Sequence, residues 1–275
     1  MSYEDRREQM IKVFEDTQDF YRTSSRLVES IKQTKERTKL YAENDYPDLP
    51  EVSKAGEVIV SKSRTFEAAM RLHAEHAHKK IAVLNFASAT NPGGGVKSGS
   101  SAQEESLCRC STLYPTINQR WLYDKYYAMN RKARNPLYTD ACIYSHDIVI
   151  CKSDDDIPQR LSESEFITVD IITCAAPNLS HFDESTPHGI SDEKLLAIHT
   201  DRAKHILHVA ACNGVDCLVL GAFGCGAFRN NPNIVARAFK NALEKYRRYF
   251  ELIEFAVYCR NYETENYKAF KAVLG

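Results

Sequence analysis

Residues 85–114 read NFASATNPGGGVKSGSSAQEESLCRCSTLY, and their reading decides the fold. The stretch leaves a hydrophobic, strand-like run, IAVLNFA. It passes three consecutive glycines, Gly93, Gly94 and Gly95, and after a spacer (96–102) reaches Gln103, Glu104 and Glu105, where a helical pattern begins. Strand, glycine turn, and helix opening on two carboxylates is the build of an α/β protein that holds an anionic ligand beside an acid. A second stretch repeats that build: CLVL, then GAFGCGAFRNNP at 221–232.

Working outward, strands and helices mostly alternate from residue 56 onward. Strand-like runs are GEVIVS (56–61), 80–87, Ile143 to Cys151, Phe166 to Thr173, Cys217 to Leu220 and Glu254 to Cys259. Helical patterns lie at TFEAAMRLHAEHAH, with Phe66, Met70 and Leu72 on or near its apolar side, and at 117–133, 192–211, 233–250 and 263–274. Leu196, His199, Ala203, Ile206 and Ala210 share one face of the third of these, which ends at Asn213-Gly214. Val235, Phe239, Ala242 and Tyr246 align on the fourth. Strands apolar on both faces imply a mainly parallel sheet covered by helices on each side, with ligands at the carboxyl ends of the strands.

Residues 1–45 contain neither glycine nor proline, and Phe20, Ser24, Leu27 and Ile31 fall at helical spacing beside Tyr21 and Val28. One or two amphipathic helices are expected, as a packing or lid extension or as a second site. Two prolines, Pro47 and Pro50, end that stretch. The expected division is a helical extension, 1–54, on a catalytic domain, 55–275.

Of the 275 residues, 43% are hydrophobic and 27% charged, with a formal net charge of -1. That balance excludes a protein held on nucleic acid by bulk electrostatics and leaves room only for a local basic patch. No run reaches the about 18 apolar residues of a membrane span. MSYEDRREQM lacks the apolar core of a signal peptide, so an intracellular, cytoplasmic location is expected. Nine cysteines are an odd number without the rhythm of an extracellular framework, and are expected reduced and mostly buried.

In the second loop, Gly221, Gly224 and Gly226 let backbone N–H groups approach an anion, and Asn230 or Asn231 with Pro232 starts a helix whose N-terminus adds positive charge. Phe223 and Phe228 can stack on a base or ribose, and Arg229 can answer a phosphate. A tight turn without a ligand reads equally well from this loop alone. Neither G-x-x-x-x-G-K-[ST] nor G-x-G-x-x-G is present. In the first loop, three glycines in a row are costly to order and suit a backbone pressed against a bulky ligand. Ser101 and Glu104 also fit a capping box, whereas Glu105 has no such local use. Glu105 acting as an acid at neutral pH needs burial or an anionic ligand to raise its pKa.

Two glutamates in a phosphate-lined cleft suggest cleavage at an acetal carbon. Neighbours on one helix cannot flank a bond from opposite faces, so one glutamate serves as acid and then base while the other holds sugar hydroxyls. Cys108 and Cys110, or His73, His76 and His78, lack a zinc-finger spacing. Cys225 is a small residue at a close backbone approach rather than a nucleophile.

Three glycines, a spacer and QEE, flanked by NFAS-x-x-NPGGG and GAFGCGAFRNNP, resemble the signature loops of bacterial-type, or microbial, poly(ADP-ribose) glycohydrolases; ITCAAPN at 172–178 and IYSHDIVI are similar too. The resemblance covers roughly 55–275. It implies a three-layer α/β/α macrodomain with a mixed, mainly parallel sheet, and hydrolysis of ribose–ribose O-glycosidic bonds, mainly exo-acting, to release ADP-ribose. It places the catalytic acid/base on Glu105 and a holder of ribose hydroxyls on Glu104, and Gln103 completes the motif. Asn91 and Gly93–Gly95 fall on the loop beside the distal ribose, and Gly224, Cys225, Gly226, Ala227 and Phe228 on the diphosphate loop. No metal or organic cofactor is implied. The implied substrate is poly(ADP-ribose) or ADP-ribosylated protein; no membrane or duplex nucleic-acid partner, and a monomer, are expected. The competing readings are a mono-ADP-ribosyl hydrolase, a non-catalytic ADP-ribose reader and a structural protein reusing the fold. The glutamate pair counts against the reader, and two intact ligand loops against the structural protein.

Overall fold

The computed structural model describes residues 3–181, 190–262 and 264–275. Two helices open the chain, α1 (Tyr3–Thr23) and α2 (Ser25–Arg37), followed by a short strand β1 (Lys39–Tyr41). Next come β2 (Glu57–Ser61), α3 (Thr65–Glu75) and β3 (Ile81–Phe86). After the glycine loop lie α4 (Gln103–Cys110), α5 (Leu113–Ile117), a single turn α6 (Arg120–Leu122), a π-helical turn (Tyr123–Tyr127) and α7 (Ala128–Ala133). The chain closes with β4 (Cys142–Ile150), β5 (Ile167–Cys174), α8 (Asp192–Cys212), β6 (Cys217–Leu220), α9 (Pro232–Tyr246), β7 (Leu252–Ala256) and α10 (Glu265–Leu274). Glu263, the expected start of the last helix, is outside the described residues.

Seven strands form one sheet in the order β1-β4-β5-β3-β6-β7-β2. The five from β5 to β2 are mutually parallel, whereas β4 and β1 are added antiparallel at one side. The sheet is therefore mixed and mainly parallel. The carboxyl ends of β5, β3, β6, β7 and β2 form one edge, in that spatial order.

The period-two geometry of a strand sends alternate residues to opposite faces. Along β3, Ala82 and Leu84 enter a core with Ile206, Phe239 and Phe270 of α8, α9 and α10. Ile81 and Val83 enter another with Phe14, Phe66, Leu107 and Leu113 of α1, α3, α4 and α5. The chain is thus three-layered. On α9, Val235, Phe239, Ala242 and Tyr246 are all buried, as their spacing predicts. Asn213 caps α8, and Gly214 follows in the left-handed region.

Three local readings are refined. The N-terminal helical stretch breaks at Ser24, whose hydroxyl accepts the Leu27 N–H and so starts α2. Its tail forms β1, too short for any periodicity to announce. The helix expected over 117–133 is divided, because the π-helical turn widens the backbone and lets both Tyr126 and Tyr127 face inward.

The N-terminal helix braces the helix that opens on the two glutamates. Thr17 Oγ1 donates to the Arg109 carbonyl at 2.7 Å, and Arg109 Nε returns a bond to the Met10 carbonyl at 3.2 Å. Tyr21 donates to the Ser111 carbonyl, and the buried Lys152 ammonium binds the Val13 carbonyl at 2.9 Å and Asp16 at 2.7 Å. Among the described residues no helix is long and apolar enough to cross a membrane.

Candidate active site

Glu104 and Glu105 occupy the first turn of α4, and both are buried, at 3% and 7% exposure. The N-cap is Ala102, which offers no side-chain acceptor, so the capping box between Ser101 and Glu104 does not form. The Glu104 carboxylate turns instead to the end of β3. Its Oε2 accepts the Ser88 N–H at 2.7 Å, and its Oε1 accepts from Asn85 Nδ2 at 3.4 Å. Burial pushes its pKa up to about 8 against the pull of the Ser88 N–H, and the charge of Glu105 adds to the rise. Glu105 is held on one side only: Oε1 accepts the Gly95 N–H at 2.8 Å, while Oε2 is buried with no partner in the protein. A carboxyl oxygen left free at a cavity wall can carry a proton to a substrate or accept one from water.

The glycine loop is shaped around these carboxylates. Gly94 lies at φ +57°, and a Cβ there would fall on Glu105 Oε1 and 3.1 Å from Glu104 Oε2. Gly93, at φ +71°, would press a Cβ against the Tyr114 ring at 2.7 Å. The first reason for the triple glycine is therefore the loop's approach to its own acids and to Tyr114. Asn91 is exposed; its backbone carbonyl accepts the Gly94 N–H at 2.9 Å, and its side-chain oxygen accepts from the Arg131 guanidinium. Gln103 has both ends of its amide engaged: it accepts the Phe86 N–H at 2.9 Å and donates to the Leu84 carbonyl at 2.8 Å and to Thr65 Oγ1 at 3.1 Å. It pins the start of α4 to the end of β3, so its part in the motif is to position the two glutamates.

The second loop follows β6. Asn231 caps α9 and Pro232 takes its first turn, as expected. Gly224 sits at φ +74° with Ala176 and Asn230 where a Cβ would go, whereas a Cβ on Gly226 would meet open space. That opening, beside Ala227 and Phe228 in the cavity wall, leaves room for a ligand. Two expectations are corrected and one alternative is resolved. Phe223 is only 1% exposed and packs edge-on to Phe86, with ring centroids 5.7 Å apart, so it offers no stacking face. Arg229 is exposed at φ +58° and lies outside the cavity lining. Of the two candidate caps, Asn230 is not used: its Oδ1 accepts from His199 Nε2 at 2.8 Å and its Nδ2 donates to the Pro177 carbonyl at 2.7 Å. Phe228 remains half-buried on the cavity, 6.4 Å from the Tyr138 ring. Burial raises the Cys225 thiol pKa, consistent with a packing role rather than a nucleophile.

Gln103, Glu104 and Glu105 share one cavity of about 740 Å³, of the size of small-molecule sites, with Gly224, Gly226, Ala227 and Phe228. Asn91, Gly93, Gly94, Gly95 and Cys225 lie outside its lining, because the glycine loop packs on the acids and Tyr114 and Cys225 is turned inward. The cavity lining takes in Glu104 and Glu105, Gly226 and Phe228, and Arg64, Tyr258 and Asn266. This last part of the wall escaped the sequence reading. Arg64 stands 4.1 Å over the Tyr258 ring, and no local pattern links residues 194 positions apart. Asp154 was missed too. Its half-buried carboxylate accepts the Phe66 N–H at 2.9 Å, at the start of α3, and the Ser106 hydroxyl at 3.2 Å, at the start of α4; desolvation raises its pKa. Asn85 did leave a signal, a lone amide inside IAVLNFA. Cys108 and Cys110 are buried thiols whose pKa values burial raises. Among the described residues no three His, Cys, Asp or Glu side chains are grouped to hold a metal.

A family model, microbial-type PARG, catalytic domain, matches residues 9–153. The fold is similar to the poly(ADP-ribose) glycohydrolase of Thermomonospora curvata bound to the inhibitor ADP-HPD, at 30% identity and a TM-score of 0.82, covering 97% of this chain and 99% of that one. It is also similar to the Deinococcus radiodurans glycohydrolase in complex with ADP-ribose, at 37% identity and a TM-score of 0.77, covering 88% of this chain and 95% of that one. A search of curated proteins gave no match. The chain belongs to the microbial-type poly(ADP-ribose) glycohydrolase family, a family of glycosidases.

Proposed function

We propose that this chain cleaves the ribose–ribose bond of poly(ADP-ribose) from the free end, with Glu105 as acid and then base and Glu104 as the holder of ribose hydroxyls. The observation that carries the reading is the unequal treatment of the two oxygens of Glu105. One is fixed by the Gly95 N–H, and the other is buried at a cavity wall without a protein partner.

The strand order supports a direction for the ligand. The acids lie after β3, the diphosphate loop after β6, and Tyr258 and Arg64 after β7 and β2, next to one another along the same edge. An ADP-ribose unit laid along it puts its distal ribose at the glutamates, its diphosphate over Gly224–Phe228 and its adenosine against the Arg64–Tyr258 wall.

In the proposed step, Glu105 Oε2 gives its proton to the 2′-oxygen of the leaving unit as the C1″–O2′ bond breaks and its electron pair goes to that oxygen. The ribose becomes oxocarbenium-like. Water adds at C1″ and returns a proton to Glu105. A Glu104 held by Ser88 and Asn85 faces the sugar without needing to transfer a proton.

The test is incubation of the purified protein, and of Glu105→Gln, with poly(ADP-ribose) on an automodified polymerase, with products resolved by mass spectrometry. Free ADP-ribose from the first time points, with wild type only and with a loss of several orders of magnitude in the variant, is expected; ADP-ribose affinity should change little. Early oligomers would overturn the exo habit. Surviving turnover in Glu105→Gln would overturn the acid/base assignment.

A further inference from the structure

A basic segment borders the glycine loop, and its backbone enters the left-handed region at Arg134. The segment 131–138, from the last turn of α7 toward β4, packs beside the glycine loop at one end and Phe228 at the other. At one end Arg131 Nε donates to the Thr90 carbonyl at 2.9 Å, and its guanidinium also reaches the Asn91 side chain. At the other end the Asn178 N–H donates to the Pro136 carbonyl at 2.7 Å, and Tyr138 stands by Phe228. Arg202 ties the middle down through the Leu137 carbonyl at 2.9 Å.

Three cations lie on this segment. Arg131 is engaged with the glycine loop. Lys132 and Arg134 are exposed, and neither pairs with a carboxylate among the described residues. Basic residues in a last helical turn ordinarily complement the helix dipole, which accounts for Arg131 and Lys132. It does not account for Arg134, which follows α7 at φ +50°, a left-handed position where glycine or asparagine is least costly. Tyr138, at φ +55°, is a second such residue in the same segment. Left-handed residues with side chains cluster where function over-determines the backbone.

We propose that Lys132 and Arg134 bind the diphosphate of the polymer unit next to the one being released, which makes this segment a subsite for the continuing polyanion. The inference rests on the reading above, in which the bond that breaks lies at the ribose end, so the rest of the polymer leaves past this segment. A chain with formal net charge of -1 has no general attraction for a polyanion, and local cations must supply it.

The experiment compares wild type with Arg134→Gly, Lys132→Ala and the double variant. It measures steady-state kinetics on poly(ADP-ribose) over a range of salt, affinity for free ADP-ribose, and thermal unfolding. The Arg134→Gly change relaxes the left-handed position, so its fold should be at least as stable. The double variant should raise KM for polymer about fivefold to tenfold with kcat within about twofold, and flatten the fall of log kcat/KM with log salt by about 0.7 per lost phosphate contact. Affinity for ADP-ribose, which has no continuing unit, should stay the same. Unchanged polymer KM and salt slope in folded variants would overturn the subsite. A wild-type protein that releases nothing from polymer would instead overturn the functional reading beneath it.

Discussion

Glu104 and Glu105 are neighbours in sequence and differ in what the fold does to them. Glu104 is enclosed and hydrogen-bonded at both oxygens, and burial lifts its pKa from 4.5 to about 8. Between those values the folded chain keeps a proton that the unfolded chain has released, so this group makes stability fall as pH rises through the window; below it both states are protonated and the effect vanishes. Glu104→Gln removes the ionisation while keeping the shape. Its melting temperature should therefore gain on wild type as pH goes from about 5 to about 8, with little difference at the acid end. Parallel melting curves against pH would mean that Glu104 ionises as an ordinary carboxylate. The sequence disclosed both glutamates, because a carboxylate pair after three glycines has few bland uses. It could not disclose that Glu104 leaves the capping geometry, since that depends on Asn85 and Ser88 at the end of another element.

At the scale of elements, alternation of apolar runs and helical faces made the layered sheet legible, and the strand limits moved by at most three residues, the most at the end of β7. What stayed hidden depends on contacts distant in sequence. The pairing of β1 with β4 joins residues about a hundred positions apart, and the brace of α1 on α4 runs through backbone carbonyls, which carry no sequence signal. Arg109 is the clearest member of that brace. Its buried guanidinium joins the Met10 carbonyl of α1 to the Ser100 carbonyl of the glycine loop, one turn after Glu105. Arg109→Met keeps most of the volume and removes the donors. It should lower unfolding stability in urea by about 2 kcal/mol, the scale of charged hydrogen bonds to groups left buried. Turnover should fall with it, because the Gly95 N–H that fixes Glu105 belongs to the same loop. Unchanged stability would show that Thr17, Tyr21 and Lys152 alone hold α1 in place.

Across the whole molecule, five parallel strands place loops from separate parts of the sequence along one edge, and a ligand lying along that edge must touch them together. The glycine loop after β3, the glycine-rich loop after β6 and the wall after β7 come from separate stretches of the chain and meet along this edge. Hydrogen exchange therefore reports the ligand's reach. Saturating ADP-ribose should slow exchange at the amides of 93–96, of 224–228 and of 257–260 in the same titration, and leave the amides of α10 unchanged at its C-terminal end. Binding at about a hundred times Kd also stabilises the whole fold by about 2.7 kcal/mol, so the comparison belongs at short exchange times, where local opening dominates. Protection of the first two segments without the third would move the adenosine off the Arg64–Tyr258 wall while leaving the ribose and diphosphate assignments standing. Protection of the third alone would detach the ligand from the glutamates and with it the proposed chemistry.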